Sequence, residues 1–188
     1  MVYFGALNHK LYAREADTGK KKWDLAIDGA PLSTPLVRGG ILYVGTADKR
    51  LLAIDITRAT VKWEFQAQSW VAAQPVVDGN AIYVSSMDGR VYALEVNTGR
   101  TKWEYTAGGA ISVAAVKIDR LLVLGSHDGQ VYALNADSGA LRWSYAAQAP
   151  IMTPLASAAG VVYAYANNGQ LHAVQALDGR RLWTISGE

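Results

Sequence analysis

Five of the six tryptophans stand 40 residues apart, at Trp23, Trp63, Trp103, Trp143 and Trp183. Other columns keep the same spacing without drift. Tyr3, Tyr43, Tyr83, Val123 and Tyr163 form one; Ala13, Ala53, Ala93, Ala133 and Ala173 form a second. Gly19, Ala59, Gly99, Gly139 and Gly179 form a third. A fixed period near 40 residues restricts a chain to repeat architectures: propellers, helical-pair solenoids or mixed repeats.

The pattern inside one repeat selects among these. In residues 71–110, Val71 to Val77 is an apolar run closed by the turn cluster Asp78-Gly79-Asn80. Ala81 to Ser85 is short and apolar, and Met87-Asp88-Gly89-Arg90 carries an Asp-Gly hairpin signal. Val91 to Glu95 follows, then the turn Asn97-Thr98-Gly99-Arg100, then the alternating run Thr101 to Thr106. Four short strands with turn chemistry between them, and no stretch of helical periodicity, predict an all-β propeller of four-stranded antiparallel blades.

Lettered A to D from the axis outward, strand A is expected near 31–37, 71–77, 111–117 and 151–157. Strand B is expected near 41–46, 81–86, 121–126 and 161–166, and strand C near 50–56, 90–96, 130–136 and 170–176. Strand D is expected near 61–67, 101–107, 141–146 and 181–185. The first repeat opens in strand B at Val2 and has no strand A, giving nineteen candidate strands. Residues 1–188 read as a single propeller domain or partial propeller, with blades at about 1–29, 30–69, 70–109, 110–149 and 150–188.

The passage from strand C into strand D repeats a motif: Ala13-x-Glu15-x-x-Thr18-Gly19-x-x-x-Trp23, Ala93…Thr98-Gly99…Trp103, Ala133…Ser138-Gly139…Trp143 and Ala173…Asp178-Gly179…Trp183. A small alanine leaves room on the sheet face, and the glycine can take the positive φ of a tight turn. The tryptophan can lay about 150–250 Å² of flat surface on the adjacent blade. The blade-docking set is therefore Trp23, Trp63, Trp103, Trp143 and Trp183 with Gly19, Gly99, Gly139 and Gly179. Ala59 departs from the glycine column, so an altered turn is expected there. His172 replaces an aromatic or leucine, and Ala114-Ala115 lacks the proline found at Pro35 and Pro75.

This motif resembles the tryptophan-docking motif of the pyrroloquinoline-quinone-type β-propellers. Asp88-Gly89-Arg90-Val91-Tyr92-Ala93-Leu94 and Asp128-Gly129-Gln130-Val131-Tyr132-Ala133-Leu134 are similar to the hairpin between that family's strands B and C. The resemblance covers the whole chain. It implies one of two roles. Some members are quinone-dependent alcohol or sugar dehydrogenases, usually with calcium; others are scaffolds without a cofactor, such as the propeller lipoprotein of the outer-membrane β-barrel assembly machinery. The dehydrogenases need a catalytic carboxylate, calcium ligands, basic residues for the quinone and in many members a vicinal cysteine pair. This chain has no cysteine, and Asp17, Asp78, Asp88, Asp128, Asp137 and Asp178 sit in turns, where aspartate is favoured for backbone reasons. His9, His127 and His172 fall in different columns. The expectation is a non-enzymatic scaffold with no catalytic, cofactor-binding or metal-binding residues. A fragment of a quinone-dependent dehydrogenase, with its catalytic residues elsewhere, is the alternative.

The net charge of +2 gives little pull toward nucleic acid, and no apolar run reaches the length of a membrane span. The excess positive charge follows the repeat at Lys22, Lys62, Lys102 and Arg142, on the outermost strand, where it discourages edge-to-edge pairing. No export signal or lipid-attachment cysteine is present; the resemblance alone implies the bacterial envelope, outside the cytoplasm. The loops between strands D and A share a face with the B–C hairpins and vary most among repeats. Trp70 stands there off the 40-residue register, and Trp70, Gln68 and Ser69 are the candidate contacts for a protein partner. The 188 residues amount to about 4.7 repeats, whereas relatives of this type usually close at about eight. A fragment of a longer propeller, pairing with another chain or copy through open blade edges, and an irregular five-bladed ring remain as readings, the first being the expectation.

Overall fold

The computed structural model describes residues 1–187 and contains nineteen strands in five antiparallel sheets. The first sheet has three: β1 (Val2–Ala6), β2 (Lys10–Arg14) and β3 (Lys21–Ala26). The second holds β4 (Leu36–Arg38), β5 (Ile41–Gly45), β6 (Arg50–Asp55) and β7 (Thr60–Gln66). The third holds β8 (Val76–Asp78), β9 (Ala81–Ser85), β10 (Arg90–Glu95) and β11 (Thr101–Thr106). The fourth holds β12 (Val116–Ile118), β13 (Leu121–Gly125), β14 (Gln130–Asn135) and β15 (Leu141–Ala146). The fifth holds β16 (Ala156–Ala158), β17 (Val161–Tyr165), β18 (Gln170–Gln175) and β19 (Arg181–Ser186). Each sheet is an up-and-down meander in sequence order, as a propeller blade requires.

The innermost strands are shorter than their apolar runs suggest, at three residues each. In the second blade the reason lies in the hydrogen bonds. Pro31 bridges Thr46, and the N–H groups of Leu32 and Ser33 then both donate to the Gly45 carbonyl, at 2.9 and 3.2 Å. Two donors on one acceptor break the ladder, which resumes at Leu36 opposite Tyr43. Pro35 has no N–H to give within the gap.

The middle strands of the second, third and fourth blades are buried on both faces, because each of these blades lies between two others. Tyr43, Leu51 and Ala53 of the second blade pack with Ile82, Val84, Tyr92 and Leu94 of the third. Tyr83, Val91 and Ala93 of the third turn the other way, onto Leu122, Leu124 and Leu134 of the fourth. The period-2 alternation of a strand thus feeds two separate apolar layers. Four such layers hold five blades. The pairing of the last two strands of every blade shifts register just after the motif alanine, at Ala13, Ala53, Ala93, Ala133 and Ala173. A bulge there raises the local twist.

The arc is open. Val2 and Phe4 on the first blade, and Trp183 and Ile185 on the last, stay 42–55% exposed because no blade covers those faces. Lys22, Lys62, Lys102 and Arg142 all lie exposed on the outermost strands.

Candidate functional site

The docking column has one geometry repeated at four junctions. The indole Nε1 of Trp23 donates to the Ile56 carbonyl at 2.8 Å, Trp63 to Val96 at 3.1 Å, Trp103 to Ala136 at 3.0 Å and Trp143 to Ala176 at 2.9 Å. Each acceptor lies 33 residues on, in the next blade. The ring covers the next blade's turn glycine so closely that a Cβ on Gly99, Gly139 or Gly179 would lie 2.6–2.7 Å from the indole. The turn is left-handed in every copy, with Gly19 at φ +66 and Gly179 at φ +75. Gly19, on the outer face of the first blade, has no such neighbour. Trp183, on the outer face of the last, is 42% exposed.

Ala59 overturns one sequence expectation. Its turn is not altered: Ala59 takes φ 53, and its N–H donates to the Asp55 carbonyl at 2.8 Å, as Gly99 donates to Glu95 at 2.9 Å. The Asp55 carboxylate also accepts from the N–H groups of Thr57 and Arg58, which fixes the turn around an unfavourable alanine.

The face shared by the D–A loops and B–C hairpins is built by one recurring bond. Ala47 donates its N–H to the Ala30 carbonyl, Met87 to Trp70, His127 to Ala110 and Asn167 to Pro150, at 2.9–3.0 Å. In the third blade this bond joins a larger set. The Gln68 N–H donates to Asp88 Oδ2 at 3.0 Å, and the Ser86 hydroxyl lies 3.3 Å from the carbonyls of both Ser69 and Trp70. The backbone of Gln68, Ser69 and Trp70 is therefore held, while the Trp70 side chain stands out, with the residue 54% exposed.

The Asp88 carboxylate that holds Gln68 also accepts from the Tyr92 hydroxyl at 2.7 Å. Burial first, and then this carboxylate, push the Tyr92 hydroxyl's pKa above its ordinary value, so it stays a donor. Tyr132 repeats the arrangement with Asp128 at 2.5 Å and is pushed up to about 12, chiefly by burial.

Two features of this region escape the motif. His127 Nε2 lies 2.7 Å from the Ser112 hydroxyl. His172 is buried between the last two blades, with Nδ1 2.9 Å from the Tyr145 hydroxyl. The signal available in the sequence was departure from a column: Ala47, Met87 and Asn167 where His127 stands, and Tyr92 and Tyr132 where His172 stands. His9 is exposed on the first hairpin, so the three histidines do not converge. Among the described residues no three histidine, aspartate or glutamate side chains are grouped to hold a metal ion, and no helix is long and apolar enough to cross a membrane.

Comparison with known proteins agrees with this architecture. No curated protein matches the chain in sequence at a significant level. Among solved structures, BamB from Moraxella catarrhalis superposes with a TM-score of 0.87 at 23% identity, over 97% of this chain and 60% of that one. The computationally designed Ika8 protein superposes with a TM-score of 0.89 at 19% identity, over 99% of this chain and 58% of that one. The chain thus spans about three fifths of the length of either, and at these identities the likeness is one of fold. A family model described as outer membrane protein assembly factor BamB matches residues 1–110 and 106–188, the whole chain in two overlapping passes. By that match, and by five copies of the docking motif in a propeller arc, this chain belongs to the BamB family of outer membrane protein assembly factors.

Proposed function

We propose that the chain is a non-catalytic scaffold that binds protein partners in outer-membrane protein assembly, outside the cytoplasm, through the face carrying Gln68, Ser69 and Trp70. One observation carries the choice of face: Trp70 combines an exposed side chain with a backbone carbonyl held by Met87 and Ser86. An aromatic anchor ordered before binding loses little entropy on contact, which is how tryptophan comes to dominate interface energies. The family description supplies the class of partner. On this reading residues 1–188 act as one unit. The tryptophan–glycine docking contacts are structural, and they keep the D–A loops in fixed relative positions.

Replacement of Trp70 by alanine tests the proposal against purified outer-membrane assembly proteins of the same organism. The expected result is at least a tenfold loss of affinity, about 1.4 kcal/mol, with unfolding free energy changed by less than about 0.5 kcal/mol. Unchanged affinity refutes the assignment of this face.

A further inference from the structure

The grooves between neighbouring blades follow the repeat, so one groove can be read against another. The groove between the first and second blades is lined by Asp28, Arg50, Leu52, Val61 and Glu64. Exactly 120 residues on, the groove between the fourth and fifth is lined by Gln148, Gln170, His172, Arg181 and Thr184. The first is neutralised from within. Arg50 pairs with Glu64 at 2.8 Å, with Asp28 at 3.4 Å and with Asp48. The last has kept a cation, moved from column 50 to Arg181, and has lost its acids. No carboxylate lines it, and Arg181 forms no ion pair among the described residues.

His172 makes the imbalance sharper. It is 3% exposed, and its Nε2 is the one buried side-chain polar atom among the described residues without a hydrogen-bond partner. A buried polar atom left unpaired costs roughly 1–3 kcal/mol, and native proteins rarely keep one. Two hydroxyls converge on Nδ1, Tyr145 at 2.9 Å and Thr184 at 3.2 Å. Taking Nδ1 as their acceptor assigns the proton to Nε2, which becomes a donor. Burial, and then Arg181, hold the imidazole pKa below its usual value, so the ring is neutral. In the third and fourth blades the same column holds Tyr92 and Tyr132, whose hydroxyls reach Asp88 and Asp128. The groove beside His172 holds a cavity of about 370 Å³, against about 190 Å³ in the first groove, and Gln148 and Thr184 line it at the positions where the first groove carries Asp28 and Glu64.

We propose that the groove between the fourth and fifth blades binds a carboxylate supplied from outside the chain, with His172 Nε2–H and the Arg181 guanidinium as its donors and the amides of Gln148 and Gln170 at its edge. The bound group takes the place that Asp28 and Glu64 occupy in the first groove. Gln148 belongs to a D–A loop, so an acidic side chain of a polypeptide lying on that face can reach the groove, as can a free small carboxylate. The site does not depend on the role of Trp70.

The test uses the full chain labelled with ¹⁵N and follows the His172 ring nitrogens and the side-chain amides of Gln148 and Gln170. Acetate is titrated against its neutral isostere acetamide, and a blocked Gly-Glu-Gly peptide against its Gly-Gln-Gly counterpart. The expected result is saturable shifts with acetate and with the glutamate peptide, and none with either neutral partner. Arg181→Gln should weaken acetate binding about tenfold, the range of a charge-assisted hydrogen bond. His172→Tyr, which restores the residue of the neighbouring blades, should abolish binding; His172→Leu, matching Leu52, does the same if the tyrosine variant folds poorly. A glutamate peptide that binds more tightly than acetate identifies a polypeptide ligand, and equal affinities a small free carboxylate. Absence of saturation, equal response to acetamide, or unchanged affinity in Arg181→Gln overturns the proposal.

Discussion

Gly139→Ala probes the contact that repeats at every junction. Gly139 sits at φ +73, where an L-residue with a Cβ costs about 1–2 kcal/mol. The added methyl would also lie 2.6 Å from Trp103 Cε3 and 2.7 Å from Cδ2. To restore ordinary contact the indole must retreat by close to 1 Å, which strains the 3.0 Å bond from Nε1 to the Ala136 carbonyl. Loss of that bond adds about 0.5–1.5 kcal/mol. Less about 0.5–1 kcal/mol for the entropy that glycine adds to the unfolded chain, the sum is a destabilisation of roughly 1–3 kcal/mol, read from urea unfolding followed by tryptophan fluorescence. The chain carries its own control. Ala59 already has a Cβ in this column, and Trp23 still reaches the Ile56 carbonyl at 2.8 Å. Ala59→Gly should therefore stabilise, by about 0.5–1 kcal/mol after the entropy that glycine adds to the unfolded chain. A Gly139→Ala protein within 0.5 kcal/mol of the parent, or a destabilised Ala59→Gly protein, refutes the reasoning.

Two further outcomes are expected. The folded state holds His172 below its ordinary pKa, so its neutral burial contributes stability above the unfolded value of about 6.5, and that contribution is lost as pH falls toward the folded value. Unfolding free energies measured between about pH 6.5 and 5 should fall in the parent and lose that component in His172→Tyr. Spectral titration with pyrroloquinoline quinone and calcium should give no saturable change; a saturable one would favour the dehydrogenase alternative over the scaffold.

The blades were legible because each junction repeats one chemical solution: alanine, turn glycine and tryptophan at fixed offsets, with Asp-Gly hairpins between. Strand A was overestimated because an apolar run says where side chains are buried, not whether the ladder continues. In the second blade the backbone N–H groups of Leu32 and Ser33 both turn onto Gly45, and the buried Ser33 hydroxyl accepts the Gly45 N–H at 2.8 Å, a local exchange that the apolar pattern does not report. Ala59 shows the same limit from the other side. Its sequence argues for a different turn, but Trp23 and the Asp55 carboxylate hold the chain in the glycine conformation. The groove at His172 was half visible. The histidine breaks its column in the sequence, but Arg181 comes beside it through the register shift after Ala173, which places Arg181 opposite Val174. Only a folded chain shows that no acid accompanies them.

The scaffold reading is tested most directly by a photo-crosslinking residue placed at position 70 in living cells. A second is placed at position 119, on the A–B turn of the opposite face. The account predicts crosslinks to outer-membrane assembly proteins from position 70 and none from position 119. No crosslink from position 70, or equal crosslinks from both, would contradict it.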